Sequence, residues 1–112
     1  MSTEIHIDKD TLMTLKEVME EEFQLLIDTF LSDAEQRLAA LRDCLARADS
    51  TGLRAAAHSF KGSCSNIGAP LMAQLCARVE DAAVAGELDG LAPALDAIEA
   101  EHKIVVAALG EL

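Results

Sequence analysis

Apolar residues recur at steps of three and four along nearly the whole chain, and no alternating run long enough for a strand interrupts them. That periodicity predicts an all-α protein. A short first helix is expected over about Lys9 to Val18, with Asp8 as N-cap and Leu12, Leu15 and Val18 or Met19 turned inward. A long helix should follow over about Glu20 to Ala48, because Phe23, Ile27, Phe30, Ala34, Leu38, Leu41, Leu45 and Ala48 share one face. Its length would be about 40 Å. The segment Asp49-Ser50-Thr51-Gly52 breaks the pattern, and Asp49 or Ser50 can cap a third helix with Leu53, Ala57, Phe60, Cys64 and Ile67 inward, ended by Gly68. Pro70 suits the first turn of a fourth helix, expected to bury Leu71, Leu75, Val79 and Ala82 or Ala83 and to stop near Gly86. After Glu87 to Gly90 the last helix carries Leu91, Leu95, Ile98, His102, Val105, Leu109 and Leu112 on its seam.

Short connections make consecutive helices antiparallel neighbours. The expected fold is therefore an antiparallel four-helix bundle with a short additional N-terminal helix, forming a single domain over residues 1–112. A chain of 112 residues has no room for a nucleotide-binding domain beside a substrate domain. The bundle by itself names no function.

Charge narrows the choice. Twenty acidic residues against nine basic ones give a formal net charge of −11, which repels phosphate backbones and anionic lipid surfaces. Neither nucleic acid nor a membrane is expected as a partner. Residues 1 to 10 lack the basic start and apolar run of a signal peptide, and the uncharged stretch from Gly62 to Ala77 is broken by Gly68 and Pro70. A soluble cytoplasmic monomer is the expectation. Cys44, Cys64 and Cys76 are odd in number and show no CxxC spacing, which fits reduced thiols rather than a disulfide or a metal site.

Candidate chemistry lies on the third helix. At about 100° per residue, Arg54, His58, Lys61, Gly62 and Ser65 point away from the Leu53 to Ile67 stripe, so His58 faces solvent in a local basic spot that attracts phosphoryl oxygens. Gly62, in the helix interior, is unfavourable by about 1 kcal/mol relative to Ala, and close approach of another backbone would explain it. His58 and Glu80 lie equally far along the chain from Ala69 at the centre of the turn, and so at similar height on antiparallel neighbours. A hydrogen bond from His58 Nδ1–H to Glu80 would leave Nε2 unprotonated and nucleophilic. The same register sets Cys76 across from Gly62, Ala77 across from Lys61 and Ala73 across from Ser65, leaving open ground for a partner.

The segment His58-Ser59-Phe60-Lys61-Gly62-Ser63 resembles the HxxKG(S/A) motif of histidine-containing phosphotransfer (HPt) domains, and the likeness extends through the Asn66-Ile67-Gly68-Ala69 turn and the Leu75-Cys76 pair leading to Glu80. The resemblance implies that His58 is phosphorylated on Nε2, that Lys61 neutralises the phosphoryl group, that Gly62 leaves room for the partner and that Glu80 orients the ring. It further implies shuttling between the phospho-aspartate of one receiver domain and the aspartate of another. Response-regulator receiver domains and hybrid sensor kinases are thus the implied partners, with Mg²⁺ on the receiver and no cofactor on this chain. Ser63 and Arg54 are weighed as supporting residues. The alternative is a non-phosphorylated helical adaptor that binds a receiver or kinase through the same face. An ATP-dependent kinase is excluded by the lack of a glycine-rich phosphate loop or Walker-type lysine motif.

Other ionisable residues carry simpler readings. His102 occupies a seam position and reads as a core histidine, and Glu99 with His102 forms one ExxH without the second copy that a di-iron bundle uses. His6 falls in an N-terminal segment expected to fray, and Glu20-Glu21-Glu22 complements the dipole of the long helix.

Overall fold

The computed structural model describes residues 5–112, and among them it contains five helices and no strand. Readings that concern residues 1–4, including their share of the N-terminal segment and of the 1–112 domain, lie outside the described residues. Helix α1 spans Lys9–Met19, α2 Glu22–Ala46, α3 Ser50–Asn66, α4 Pro70–Val84 and α5 Ala92–Gly110. Helices α2 to α5 pack in a ring, each against its sequence neighbours and α5 back onto α2, while α1 lies on α2. The whole measures 43 × 33 × 19 Å.

Each element starts and stops for a local reason. Asp8 accepts the Thr11 N–H and Asp49 accepts the Gly52 N–H, so both predicted caps hold, with Asp49 rather than Ser50 as the cap of α3. Glu20 lies outside α2: it adopts φ 53° and closes α1 by donating its N–H to the Lys16 carbonyl. Ala48 likewise adopts φ 52° beyond the helix end, and Cys44 takes the buried position at that level. Met19 rather than Val18 turns inward, and Val18 is exposed.

The tight α3–α4 connection is the part of the fold that positions the candidate site. Gly68 at φ 74° lets the Ala69 N–H return to the Cys64 carbonyl at 2.8 Å, and buried Ala69 leads into Pro70 at the head of α4. The N-terminal segment is tied to this turn from outside, since Asp8 N–H donates to the Gly68 carbonyl at 2.6 Å and Leu71 N–H donates to the Ile5 carbonyl at 3.2 Å.

The core is a single cluster in which Leu12, Leu41, Leu53, Phe60, Ile67, Met72, Val79, Leu95, Ile98 and Val105 are fully or almost fully buried. One helix is rotated relative to expectation, and the seam of another holds except at one level, where Glu101 is buried and His102 is not. In α4 the buried residues are Met72, Cys76, Val79 and Ala83, whereas Leu71 and Leu75 are half-buried at its flanks. Residues 71 to 84 are apolar over more than half of the helix circumference, so the pattern alone leaves the rotation open. Cys76 therefore lies in the core and not on the ground beside Gly62. In α5 the buried series runs Leu95, Ile98, Glu101, Val105 and Leu109, with His102 half-buried beside it.

That buried glutamate has a partner. Glu101 is 4% exposed, and both of its carboxylate oxygens lie within hydrogen-bond reach of His6 Nδ1, at 2.7 and 2.9 Å. His6 is thus anchored rather than frayed. Arg42 bridges α2 to α5 through Glu99 and Asp96, which occupies the carboxylate of the ExxH pair.

Candidate functional site

His58 and Glu80 project from antiparallel neighbours into the groove between α3 and α4. Each follows a buried residue by one position, Ala57 on α3 and Val79 on α4, and these two anchors set the rotation of the helices. His58 Nδ1 lies 2.8 Å from Glu80 Oε2, while the histidine side chain is 66% exposed and the glutamate 13%. A carboxylate only accepts, so in the neutral ring Nδ1 carries the hydrogen and donates it, and Nε2 keeps its lone pair. The exposed edge of the imidazole is the one that carries this lone pair.

Lys61, one turn ahead of His58, donates from Nζ to the other Glu80 oxygen, Oε1, at 2.6 Å. One carboxylate therefore holds both the ring and the ammonium. The Lys61 hydrogen bond is the main cause that holds the Glu80 carboxyl below the usual carboxylate range; desolvation opposes it, and the His58 hydrogen bond adds a smaller lowering. The sequence paired His58 with Glu80 and placed Lys61 in the same basic spot, but gave it no partner on α4. The i, i+3 spacing of Lys61 and His58 was the available signal for this second bond.

The remaining predicted residues divide. Gly62 is exposed beside the histidine, and no heavy atom lies within 4 Å of where its Cβ would be, so the protein itself supplies no reason for glycine there. Arg54 sits one turn before His58, exposed, and makes no ion pair among the described residues. Ser63 turns away toward α2, where its hydroxyl donates to the Ser59 carbonyl at 3.3 Å and it borders a small cleft with Leu26, Phe30 and Asp33. His58, Lys61 and Glu80 are brought together, with Gly62 at their edge, and Ser63 is not.

Beneath the site Cys64 and Cys76 face each other in the core, and the Cys76 thiol together with burial pushes the Cys64 thiol upward. All three cysteines are free and buried. Among the described residues no group of three or more His, Cys, Asp or Glu side chains is arranged to hold a metal ion, and no helix is long and apolar enough to cross a membrane.

Comparison with known proteins meets this geometry. The family model for the Hpt domain matches residues 25–108. The crystal structure of histidine-containing phosphotransfer protein B (HptB) from Pseudomonas aeruginosa PAO1 is similar with a TM-score of 0.90 and 42% sequence identity, over 95% of this chain and 92% of that one. No curated protein matches the chain. From the helical ring, the motif beginning at His58 and these two likenesses together, the chain belongs to the Hpt domain family of histidine phosphotransfer intermediates.

Proposed function

We propose that His58 is the phosphoryl acceptor of this phosphorelay intermediate, taking the group on Nε2 from the phospho-aspartate of one receiver domain and passing it to the aspartate of another. The observation that carries this reading is the pairing of an exposed imidazole with a largely buried carboxylate, Nδ1 to Oε2 at 2.8 Å, which aims an unprotonated Nε2 at solvent. Phosphoryl transfer needs an in-line nucleophile and neutralisation of spread charge more than it needs covalent chemistry from the carrier. His58 supplies the nucleophile, Glu80 fixes its tautomer, Lys61 supplies positive charge, and Gly62 leaves the approach clear. Mg²⁺ belongs in this reading to the receiver.

Hpt proteins are phosphotransfer carriers that work with receiver domains and kinases. For this chain we infer a cytoplasmic monomer, a reading supported by its three buried free thiols and its net charge of −11, and no ATP-dependent kinase activity, a reading supported by the lack of a glycine-rich phosphate loop or Walker-type lysine motif in its sequence.

A phosphorylated receiver carrying labelled phosphate tests the assignment. The wild type should take up label in an acid-labile, base-stable form, and His58→Gln should take up none. Label persisting in His58→Gln would overturn the role of His58, and tight binding of the receiver without any transfer would favour the adaptor. Incubation with ATP alone should leave the protein unlabelled.

A further inference from the structure

The bundle holds a second imidazole in the way it holds His58. His6 Nδ1 lies 2.7 Å from one oxygen of the Glu101 carboxylate and 2.9 Å from the other. That carboxylate is 4% exposed and the histidine side chain 41%, against 13% and 66% for Glu80 and His58. In the neutral ring Nδ1 carries the hydrogen and donates it, so Nε2 keeps its lone pair on the edge turned away from the buried carboxylate. The chain is pinned on both sides of this ring, by Leu71 N–H on the Ile5 carbonyl and by Asp8 N–H on the Gly68 carbonyl. A carboxylate buried on a seam of Leu, Ile and Val is unfavourable unless paired, and here its partner is a group able to become a cation.

A cleft of about 410 Å³ lies against the His6 ring. Lys9 lines it together with His6, so a positive charge borders the imidazole, and the exposed Ile5 and Ile104 form an apolar wall. Glu111 also lines the cleft. The place is distinct from the α3–α4 groove: His6 is bonded to α5, whereas His58 lies eight residues before the end of α3 at Asn66, about 12 Å along that helix.

We propose that His6 is a second phosphoryl-accepting histidine, modified on Nε2 by small phosphoryl donors of the phosphoramidate class. This goes beyond the role given to His58 and does not depend on it. In the step the Nε2 lone pair forms an N–P bond while the P–N bond of phosphoramidate breaks, and its electron pair leaves with ammonia. Nδ1 keeps its hydrogen, so the ring changes from neutral to cationic directly opposite the Glu101 carboxylate, which stabilises the cation. The phosphoryl group keeps its negative charges, and Lys9 is the cation on the cleft wall that attracts them.

His58→Gln removes the first acceptor and isolates the second. Incubated with phosphoramidate, this variant should gain one acid-labile, base-stable phosphoryl group, and peptide mapping under alkaline conditions should place it on His6. The half-buried His102, whose Nε2 is enclosed, should stay unlabelled. Adding His6→Gln should abolish uptake. The urea-unfolded His58→Gln chain, where His6 is an unoriented imidazole, should be labelled at His6 about threefold or more slowly than the folded protein. No uptake by folded His58→Gln, label on His102 in place of His6, or equal rates at His6 in the folded and unfolded chains would each overturn the proposal. The site map in His58→Gln decides the matter even where His6→Gln weakens the fold. A phosphorylated receiver reads His58 separately: its failure to label the wild type counts against His58 alone, and failure of phosphoramidate to label His58→Gln counts against His6 alone.

Discussion

A methyl group at position 62 would meet nothing within 4 Å, and the residue lies inside a 17-residue helix. Gly62→Ala should therefore stabilise the fold by about 0.5–1 kcal/mol through helix propensity, seen as a higher melting temperature. On the proposed function the same change should slow transfer from a phosphorylated receiver, because the methyl group would stand in the open space proposed for the partner's approach. Unchanged transfer with a raised melting temperature would show that nothing packs there. Glu80 has a pH signature of its own: its carboxyl is held below the ordinary range in the folded state, so the unfolded chain takes up that proton first as pH falls. Its contribution is present above about pH 4.5 and is lost as pH drops through the lowered value. Glu80→Gln should flatten that part of the urea-midpoint profile, and an identical profile in the variant would remove Glu80 from the balance. At this scale the sequence showed His58 with Glu80, because register about a tight turn can be read from chain position. It did not show Lys61 on Glu80, because a long flexible side chain has many reachable partners and spacing does not choose among them.

Among the elements, α3 depends on the interlock of Asp49, Gly52 and Cys44. The Asp49 carboxylate accepts the Gly52 N–H at 2.9 Å, and a Cβ on residue 52 would press into that carboxylate and lie 3.0 Å from the Cys44 sulfur. Asp49→Ala should destabilise the protein by about 1 kcal/mol, Gly52→Ala by at least as much, and the double variant by clearly less than the sum. Chemical denaturation of the four proteins measures this, and strict additivity would separate the two residues. Helix existence and order were legible throughout, since stepwise apolar spacing is sustained and caps such as Asp8 and Asp49 are local signals. The rotation of α4 was not. Leu71 and Leu75 outrank Met72 and Cys76 in hydrophobicity by type, yet the smaller and more pliable pair fits under α3, where Cys76 meets Cys64.

Over the whole molecule, the ties that escaped the sequence are those between distant residues. His6 and Glu101 are 95 positions apart, and nothing in either local pattern announces the other. His6→Ala would leave the buried Glu101 carboxylate without its partner, an expected loss of about 1–3 kcal/mol in unfolding free energy that a Glu101→Gln background should reduce. His102 gives a second pH dependence of opposite chemistry. Burial holds its ring below the ordinary histidine range, and its Nε2 finds no partner among the described residues. The unfolded chain therefore binds this proton more readily, and stability should fall as pH drops from above about 6.5 toward the lowered value. His102→Leu should reduce that fall, and a curve as steep as the wild type's would assign the effect elsewhere.

The clamp at Glu80 also bears on how quickly a partner can be used. Freezing a lysine side chain upon association costs about 1.5–2 kcal/mol of rotamer entropy, and an imidazole free to spin would present its wrong nitrogen part of the time. In this protein both side chains are already tethered to one carboxylate before any encounter. Much of the ordering is completed during folding, so on the proposed function a collision with a correctly oriented receiver would meet a preformed surface and need not wait for one to assemble.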